Sequence, residues 1–157
     1  MHVSVVFIVA LVASCFAPGV VARCRSLGAP AGCPSRWRQW GNSCYLRPSN
    51  GVEWSKARKK CEKLGGVLAA PRSVEEETFI KTLVVGIERA WIDCNDKAVE
   101  GTWECKEGGV EVSYTNWYPG QPNEFGGLSE DCAAFDTDGY HDFPCDREFP
   151  VVCKRHT

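Results

Sequence analysis

Residues 116–145 read NWYPGQPNEFGGLSEDCAAFDTDGYHDFPC, and the reading of the whole chain turns on this stretch. Asp131–Phe135 and Tyr140–Cys145 are short apolar-rich runs on either side of Asp138-Gly139, a pattern that predicts two adjacent short strands. Upstream, residues 95–130 hold eight glycines and prolines and no periodicity of either kind. A structureless segment of that length inside a small domain is a functional loop or a wrong assignment. Cysteines 94, 105, 132 and 145 bracket it, so it is read as a functional loop.

Working outward, Ala90–Cys94 (AWIDC) predicts a buried strand and Phe149–Lys154 a last strand. Trp54, Ala57, Cys61 and Leu64 recur at helical spacing among lysines and arginines until Gly65-Gly66 ends the run, which predicts a first amphipathic helix. Ser73 with Glu76 forms a capping box ahead of Phe79, Ile80, Leu83 and Val84, the apolar stripe of a second helix. The basic residues are read as a solvated face. Near the start of this region, CPSRWRQWGNSCYL suits a short hairpin that Cys33 and Cys44 are placed to close. Residues 33–157 contain no internal repeat or low-complexity tract and are read as one α+β domain.

The chain has 157 residues, a formal net charge of -2, 44% hydrophobic and 24% charged residues, a balance suited to one compact domain. It argues against a long disordered tail and against a nucleic-acid binder resting on excess positive charge. Ten cysteines point to an oxidising compartment. Val3–Ala17 is almost wholly apolar and is followed by Pro18-Gly19 and the small residues Val20-Val21-Ala22, which predicts a signal peptide over 1–22, cleaved after Ala22. The rivals are a retained anchor, for which the run is short against the roughly 20 residues a span needs, and a lipidation box at Val12–Cys15. Without another membrane span, the mature protein is expected to be soluble, secreted and extracellular. Cleavage removes Cys15 and leaves an odd number of cysteines, hence one spare thiol. Cys24, in the short segment 23–32, is the natural candidate, either incidental or the bridge of a disulfide-linked dimer or another interchain pair.

Taken together, the cysteine spacing, Trp91-Ile92-Asp93-Cys94, Gly101-x-Trp103, Asn116-Trp117, Gln121-Pro122-Asn123, Glu130-Asp131-Cys132 and Tyr140-His141-Asp142 follow one another in the order of a known family. The chain resembles a long-form, secreted C-type lectin-like domain over most of its mature length. That resemblance implies two helices flanking small antiparallel sheets, with a long calcium-binding loop, all stapled by disulfides. It pairs Cys33 with Cys44, Cys61 with Cys153 and Cys132 with Cys145, with Cys94–Cys105 as an extra bridge and Cys24 left over. The Cys61–Cys153 bridge closes a loop of roughly 90 residues and would be worth about 4 to 5 kcal/mol on the chain-entropy estimate.

The resemblance also places a Ca2+ ion in the long loop. Calcium takes six to eight oxygen ligands, and Gln121, Asn123, Glu130 and Asp142 match the family's sugar-site ligands. Pro122 would be a cis proline that turns both amides toward the ion. Two vicinal sugar hydroxyls would complete the metal shell while the same side chains hydrogen-bond them. Trp117 and Tyr118 would support the loop or stack on a sugar, with Trp117 read as core. Asp96, Glu100, Glu124 and Asp131 match an auxiliary calcium site, since four gathered carboxylates repel one another without a cation; taken singly, each reads as a solvated loop charge.

Two departures bear on function. Mannose-type members carry Glu-Pro-Asn and galactose-type members Gln-Pro-Asp, whereas this chain carries Gln-Pro-Asn. Two amides blur the contrast between an acceptor-only group and a donor, leaving the glycan partner undecided between mannose-type and galactose-type. His141 stands where the family places an Asn ligand, and imidazole is a poor ligand for a hard cation. It would stand aside for water, donate to a sugar hydroxyl with binding fading in mild acid, or be a surface histidine without a role.

No nucleophile has a partner base at a suggestive spacing, zinc ligation would need the cysteines that disulfides consume, and no Asn-x-Ser/Thr acceptor occurs. The expected function is therefore not enzymatic. It is that of a secreted calcium-dependent carbohydrate-binding lectin, a recognition protein for glycans on cells or microbes, as in innate immunity. The alternative is a relative without sugar binding that binds protein, lipid or mineral surfaces.

Overall fold

The computed structural model describes residues 32–86 and 89–157; the signal peptide expected over 1–22 and Cys24 lie outside them. The elements in chain order are β1 (Arg38–Trp40), β2 (Ser43–Leu46), α1 (Trp54–Lys63), β3 (Val67–Leu68), α2 (Val74–Leu83), β4 (Ala90–Asn95), β5 (Glu104–Glu107), β6 (Val110–Glu111), β7 (Cys132–Phe135), β8 (Tyr140–Phe143) and β9 (Cys153–His156), with a short 3-10 turn at Phe125–Gly127. Two antiparallel sheets form, in the orders β1-β2-β9-β3 and β6-β5-β4-β7-β8. The fold is the expected α+β arrangement of two helices and two small sheets, and all four implied disulfides are present, Cys33–Cys44, Cys61–Cys153, Cys94–Cys105 and Cys132–Cys145.

Ala90–Cys94 is buried throughout because β4 is the centre of its sheet and has apolar layers on both faces. Alternation along the strand divides the core. Ala90, Ile92 and Cys94 join Tyr45, Ile80, Val84, Phe135, Tyr140 and Val152 in one cluster. Trp91 enters the other, with Trp54, Ala57, Cys61, Leu68, Ala134 and Val151. Both clusters thus hang on one strand, and the Cys61–Cys153 bridge ties α1 to β9 within the second.

Three expectations are corrected. The long stretch 95–130 is not wholly loop: β5 and β6 form a hairpin there, with Glu107 opposite Val110. The strand shows no apolar alternation, because of its two inward-facing residues, Cys105 and Glu107, the second is charged. The last ladder is Cys153–His156 rather than Phe149–Lys154; Phe149 and Val151 make only isolated bridges, to Val52 and Trp91, and Pro150 between them has no N–H to extend a ladder. The capping box is half made. Ser73 accepts from the Glu76 N–H at 3.3 Å, but the Glu76 carboxylate turns inward, accepts from Tyr45 Oη at 2.7 Å and pairs with Lys154 at 2.7 Å. Its other oxygen accepts from Arg72 N at 3.0 Å, one residue ahead of the cap, so residue 76 braces the helix start there while it completes a buried charge pair across the domain.

Candidate functional site

The long loop is pinned at its stem before it reaches the site. Glu77 of α2, 2% exposed, accepts from Tyr114 Oη at 2.7 Å and from Asn116 Nδ2 at 2.9 and 3.1 Å, and pairs with Lys81 at 2.6 Å. Asn116 O accepts from Tyr140 N, and Tyr118 N donates to Tyr140 O, so the stem runs against β8. Only glycine fits at 139 in the β7–β8 turn, because a Cβ there would lie 2.8 Å from Asn116 O and from Tyr118 N. Trp117 packs edge-on against Trp103 at 4.6 Å and Tyr140 at 6.0 Å beside the first core cluster, the core role expected of it. Tyr118 is 40% exposed and stacks on His141 at 5.0 Å.

Beyond the stem the Gln121–Pro122 bond is cis. Gln121, Asn123, Glu130, His141 and Asp142, the five sugar-site residues named from sequence, line one open cavity of about 220 Å3 together with Arg89, Phe125 and Phe143. Asp142, 3% exposed, holds the loop by accepting from the Asn123 and Glu124 amides at 2.8 and 2.9 Å through Oδ2. Glu130 accepts from Phe125 N at 2.8 Å, and Glu130 N donates to Glu124 Oε1 at 3.1 Å. Glu124 adopts a left-handed backbone (φ 47°), a conformation rare for a residue other than glycine and concentrated at ligand sites.

The carboxylates of Asp96, Glu100 and Asp131 converge, with one oxygen from each within 4.8 Å of the others. Glu124, the fourth expected member, is not within that group and turns toward Glu130, linking the two sites. Asp96 N donates to Asp131 O at 3.2 Å, which holds the two segments together. Burial raises the Asp96 carboxyl above its ordinary range, the Gly101 N–H at 2.9 Å opposes this, and the charge of Asp131 adds to it. Glu130 is raised by burial and by Asp142 and Glu124, against the lowering effect of the Phe125 N–H and Arg147. Glu100 is raised in the same direction, by desolvation and then by Asp96 and Glu124.

Three buried oxygens here have no hydrogen-bond partner: Asp96 Oδ1, Gln121 Oε1 and Asp142 Oδ1. An unsatisfied buried acceptor carries a desolvation cost of about 1 to 3 kcal/mol. A hard cation offsets that cost, and the donors gathered at both places are overwhelmingly oxygens, the ligand type Ca2+ requires. The residues present fit the ion.

Sequence reading missed Arg89, whose guanidinium lies 4.8 Å over the Phe143 ring and 3.6 Å from Asp136 Oδ2; nothing in its local pattern marks it. It also missed Phe125, 76% exposed, although a lone aromatic before Gly126-Gly127 was a usable signal. Glu77 was passed over as a helix residue, and its loop-holding role depends on contacts 37 and 39 residues away.

Comparison with known proteins agrees with this architecture. Residues 50–155 match the family described as Lectin C-type domain. The human (Homo sapiens) C-type mannose receptor 2 is 32% identical over 126 residues, which span 78% of this chain and 8% of the receptor, so the chain corresponds to a small part of that relative's length. Among solved structures, the mouse scavenger receptor C-type lectin carbohydrate-recognition domain has a TM-score of 0.71 at 32% identity, covering 80% of this chain and 98% of that one. A calcium-independent type II antifreeze protein has a TM-score of 0.70 at 29% identity, covering 79% and 94%. The profile match, the two-sheet fold and the four disulfides lead to one conclusion: this chain belongs to the C-type lectin domain family.

Proposed function

We propose that the protein is a secreted, calcium-dependent carbohydrate-binding lectin, a recognition protein for glycans on cells or microbes. The observation that carries this reading is the convergence of Gln121, Asn123, Glu130 and Asp142 on one cavity, with Gln121 Oε1 and Asp142 Oδ1 buried and unpartnered. Bound among these oxygens, Ca2+ would supply coordination positions for two vicinal sugar hydroxyls. The protein's own groups do the rest. Glu130 and Asp142 provide the negative charge, Asn123 offers an amide donor and an acceptor, and the cis peptide and the Asp142 bonds to the loop amides hold these groups in place. Asp96, Glu100 and Asp131, with Glu124, would take a second Ca2+ that orders the loop. Relatives whose names denote mannose receptors and carbohydrate-recognition domains support the reading, and the family consists generally of binding proteins rather than enzymes.

A shallow site gains useful avidity by pairing, and Cys24 is the thiol through which a disulfide-linked dimer would form. Cleavage after Ala22 and export would deliver the mature chain. Among the described residues no helix is long and apolar enough to cross a membrane.

The test is retention of the refolded, oxidised mature protein on mannose and galactose resins in millimolar calcium and again in EDTA. Retention on either resin, lost in EDTA, is the expected result; no retention on either overturns the simple mannose or galactose lectin. The second reading is a binding domain that engages a protein, lipid or mineral surface without sugar. It is favoured by His141 at a ligand position and by the likeness to a calcium-independent antifreeze protein. Under it, calcium leaves resin binding at zero, and a rise in melting temperature with calcium then identifies the acidic group as a purely structural site.

A further inference from the structure

The two departures from the family pattern, Gln121 and His141, touch each other. Gln121 Nε2 lies 3.1 Å from His141 Nδ1, and Gln121 Oε1 is left buried without a partner. An amide nitrogen can only donate, so the contact is a hydrogen bond in the tautomer whose Nδ1 accepts and whose proton sits on Nε2. The ring is not free to turn away. It stacks on Tyr118 with centroids 5.0 Å apart and planes 17° apart, and on Phe143 at 6.2 Å and 29°. His141 and Phe143 are two apart on β8 and share a face. Both side chains of the pair line the cavity that holds Asn123, Glu130 and Asp142.

We infer that His141 is a positioning residue that holds the Gln121 amide by its nitrogen, so that position 121 presents only an oxygen to the ligand cavity and the site takes mannose-type rather than galactose-type sugars. The inference rests on the lectin reading for its ligand. Its physical content is that the pair undoes the ambiguity of Gln-Pro-Asn. Left free, two amides would offer a donor or an acceptor at either position. With the Gln121 nitrogen engaged, position 121 is an acceptor and Asn123 keeps its donor, the same order of acceptor and donor that Glu-Pro-Asn produces with a carboxylate. The imidazole therefore substitutes for the missing ligand indirectly, by fixing a neighbour, and its Nε2–H remains as a donor.

Two measurements test the inference. The first needs no metal: long-range 15N–1H correlation spectra of the calcium-free protein at pH 8 report the His141 tautomer. The Nε2–H form with an unprotonated Nδ1 is expected; an Nδ1–H form overturns the lock, because the amide would then be turned with its oxygen on the ring. The second compares wild type with His141→Phe, which keeps the aromatic stack and removes the acceptor, and with the pair Gln121→Glu/His141→Asn, which supplies an acceptor at 121 without a histidine. Binding of methyl mannoside and methyl galactoside in saturating calcium is read by calorimetry, with melting temperature as the folding control. The expected result is a wild-type preference for mannoside that falls about tenfold in His141→Phe, the order of effect of one well-made hydrogen bond, and returns in the pair variant. A preference unchanged in a folded His141→Phe overturns the inference. Wild-type binding to neither sugar overturns both the sugar preference and the simple lectin reading, while the tautomer spectrum still decides separately whether the lock exists.

Discussion

The domain buries acidic side chains in two places and treats them oppositely. Between the sheets and α2, Lys154, 4% exposed, sits 2.7 Å from Glu76 and 3.0 Å from Glu107; Arg72 reaches Glu107 at 2.9 Å, and Tyr45 donates to Glu76. Glu107 Oε1 lacks a well-angled hydrogen bond, yet the Lys154 ammonium lies 3.0 Å from it, so its charge is still met. In the long loop and on β8 beside it, Asp96, Glu130 and Asp142 are also buried, but the donors that reach them are backbone amides, and Asp96 and Asp142 each keep one buried oxygen with none. Where the chain supplies its own cation, the acids hold the scaffold together. Where it supplies none, the same residue type keeps buried oxygens bare, and under the proposed function that is the place a cation from solution would fill.

The largest effect that would break this comparison is in the scaffold. Lys154→Met leaves the buried Glu76 charge without a cation and Glu107 with Arg72 alone, and is expected to cost about 3 to 5 kcal/mol, read by urea denaturation of the oxidised protein. A loss below about 1 kcal/mol would mean that the buried group is not held by its ion pairs. Next comes the loop. Asp142→Asn is expected to leave stability in EDTA unchanged or higher and to remove the sugar site's share of the stabilisation by calcium, about 2.7 kcal/mol for one site at a hundred times its Kd, while the share of the Asp96 group remains. Differential scanning calorimetry with and without calcium measures both, and a variant destabilised equally in the two conditions would make Asp142 a scaffold residue like Glu76.

Glu77 sits where the two regions meet. Glu77→Gln removes an acceptor from Tyr114 or Asn116 and is expected to cost about 1 to 2 kcal/mol, with hydrogen exchange rising in residues 114–118 and unchanged in β9. Equal acceleration in both would deny it a specific hold on the loop. The smallest effect is the pH response. Asp96 and Glu130 are raised in the folded state chiefly by burial, so without calcium the folded protein binds more protons than the unfolded chain from about pH 4 up through the raised values. Stability in EDTA therefore rises slightly on acidification from neutral pH into that window, whereas in calcium it falls as protons compete with the ion. Melting temperatures at pH 7 and pH 5 in both conditions check the sign, and a fall in EDTA would contradict it.

Much of this was visible in the chain before folding was considered. The helical recurrence of Trp54, Ala57 and Cys61, the apolar run Ala90–Cys94 and the turn at Asp138-Gly139 are local signals, and each marks an element that forms. The set of loop residues came from resemblance, and five of them do line one cavity. What stayed hidden were the partners. Glu76 looks like half of a capping box until Lys154, 78 residues away, draws its carboxylate inward. Arg89 looks like a strand flank until it lies over Phe143.

The sequence by itself determined both helices, the first hairpin, β4 and the β7–β8 pair, the bridging cysteines that match the family, and the stock of loop oxygens, because periodicity, turn chemistry and spacing act over a few residues or are carried by shared motifs. Only the tertiary structure decided that Glu76 and Glu107 meet an internal cation while Asp96 and Asp142 keep bare oxygens, and that Gln121 and His141, 20 residues apart, act as one unit. Those outcomes depend on which side chains distant parts of the chain bring within hydrogen-bonding reach, and that is settled by packing around β4 rather than by any local pattern.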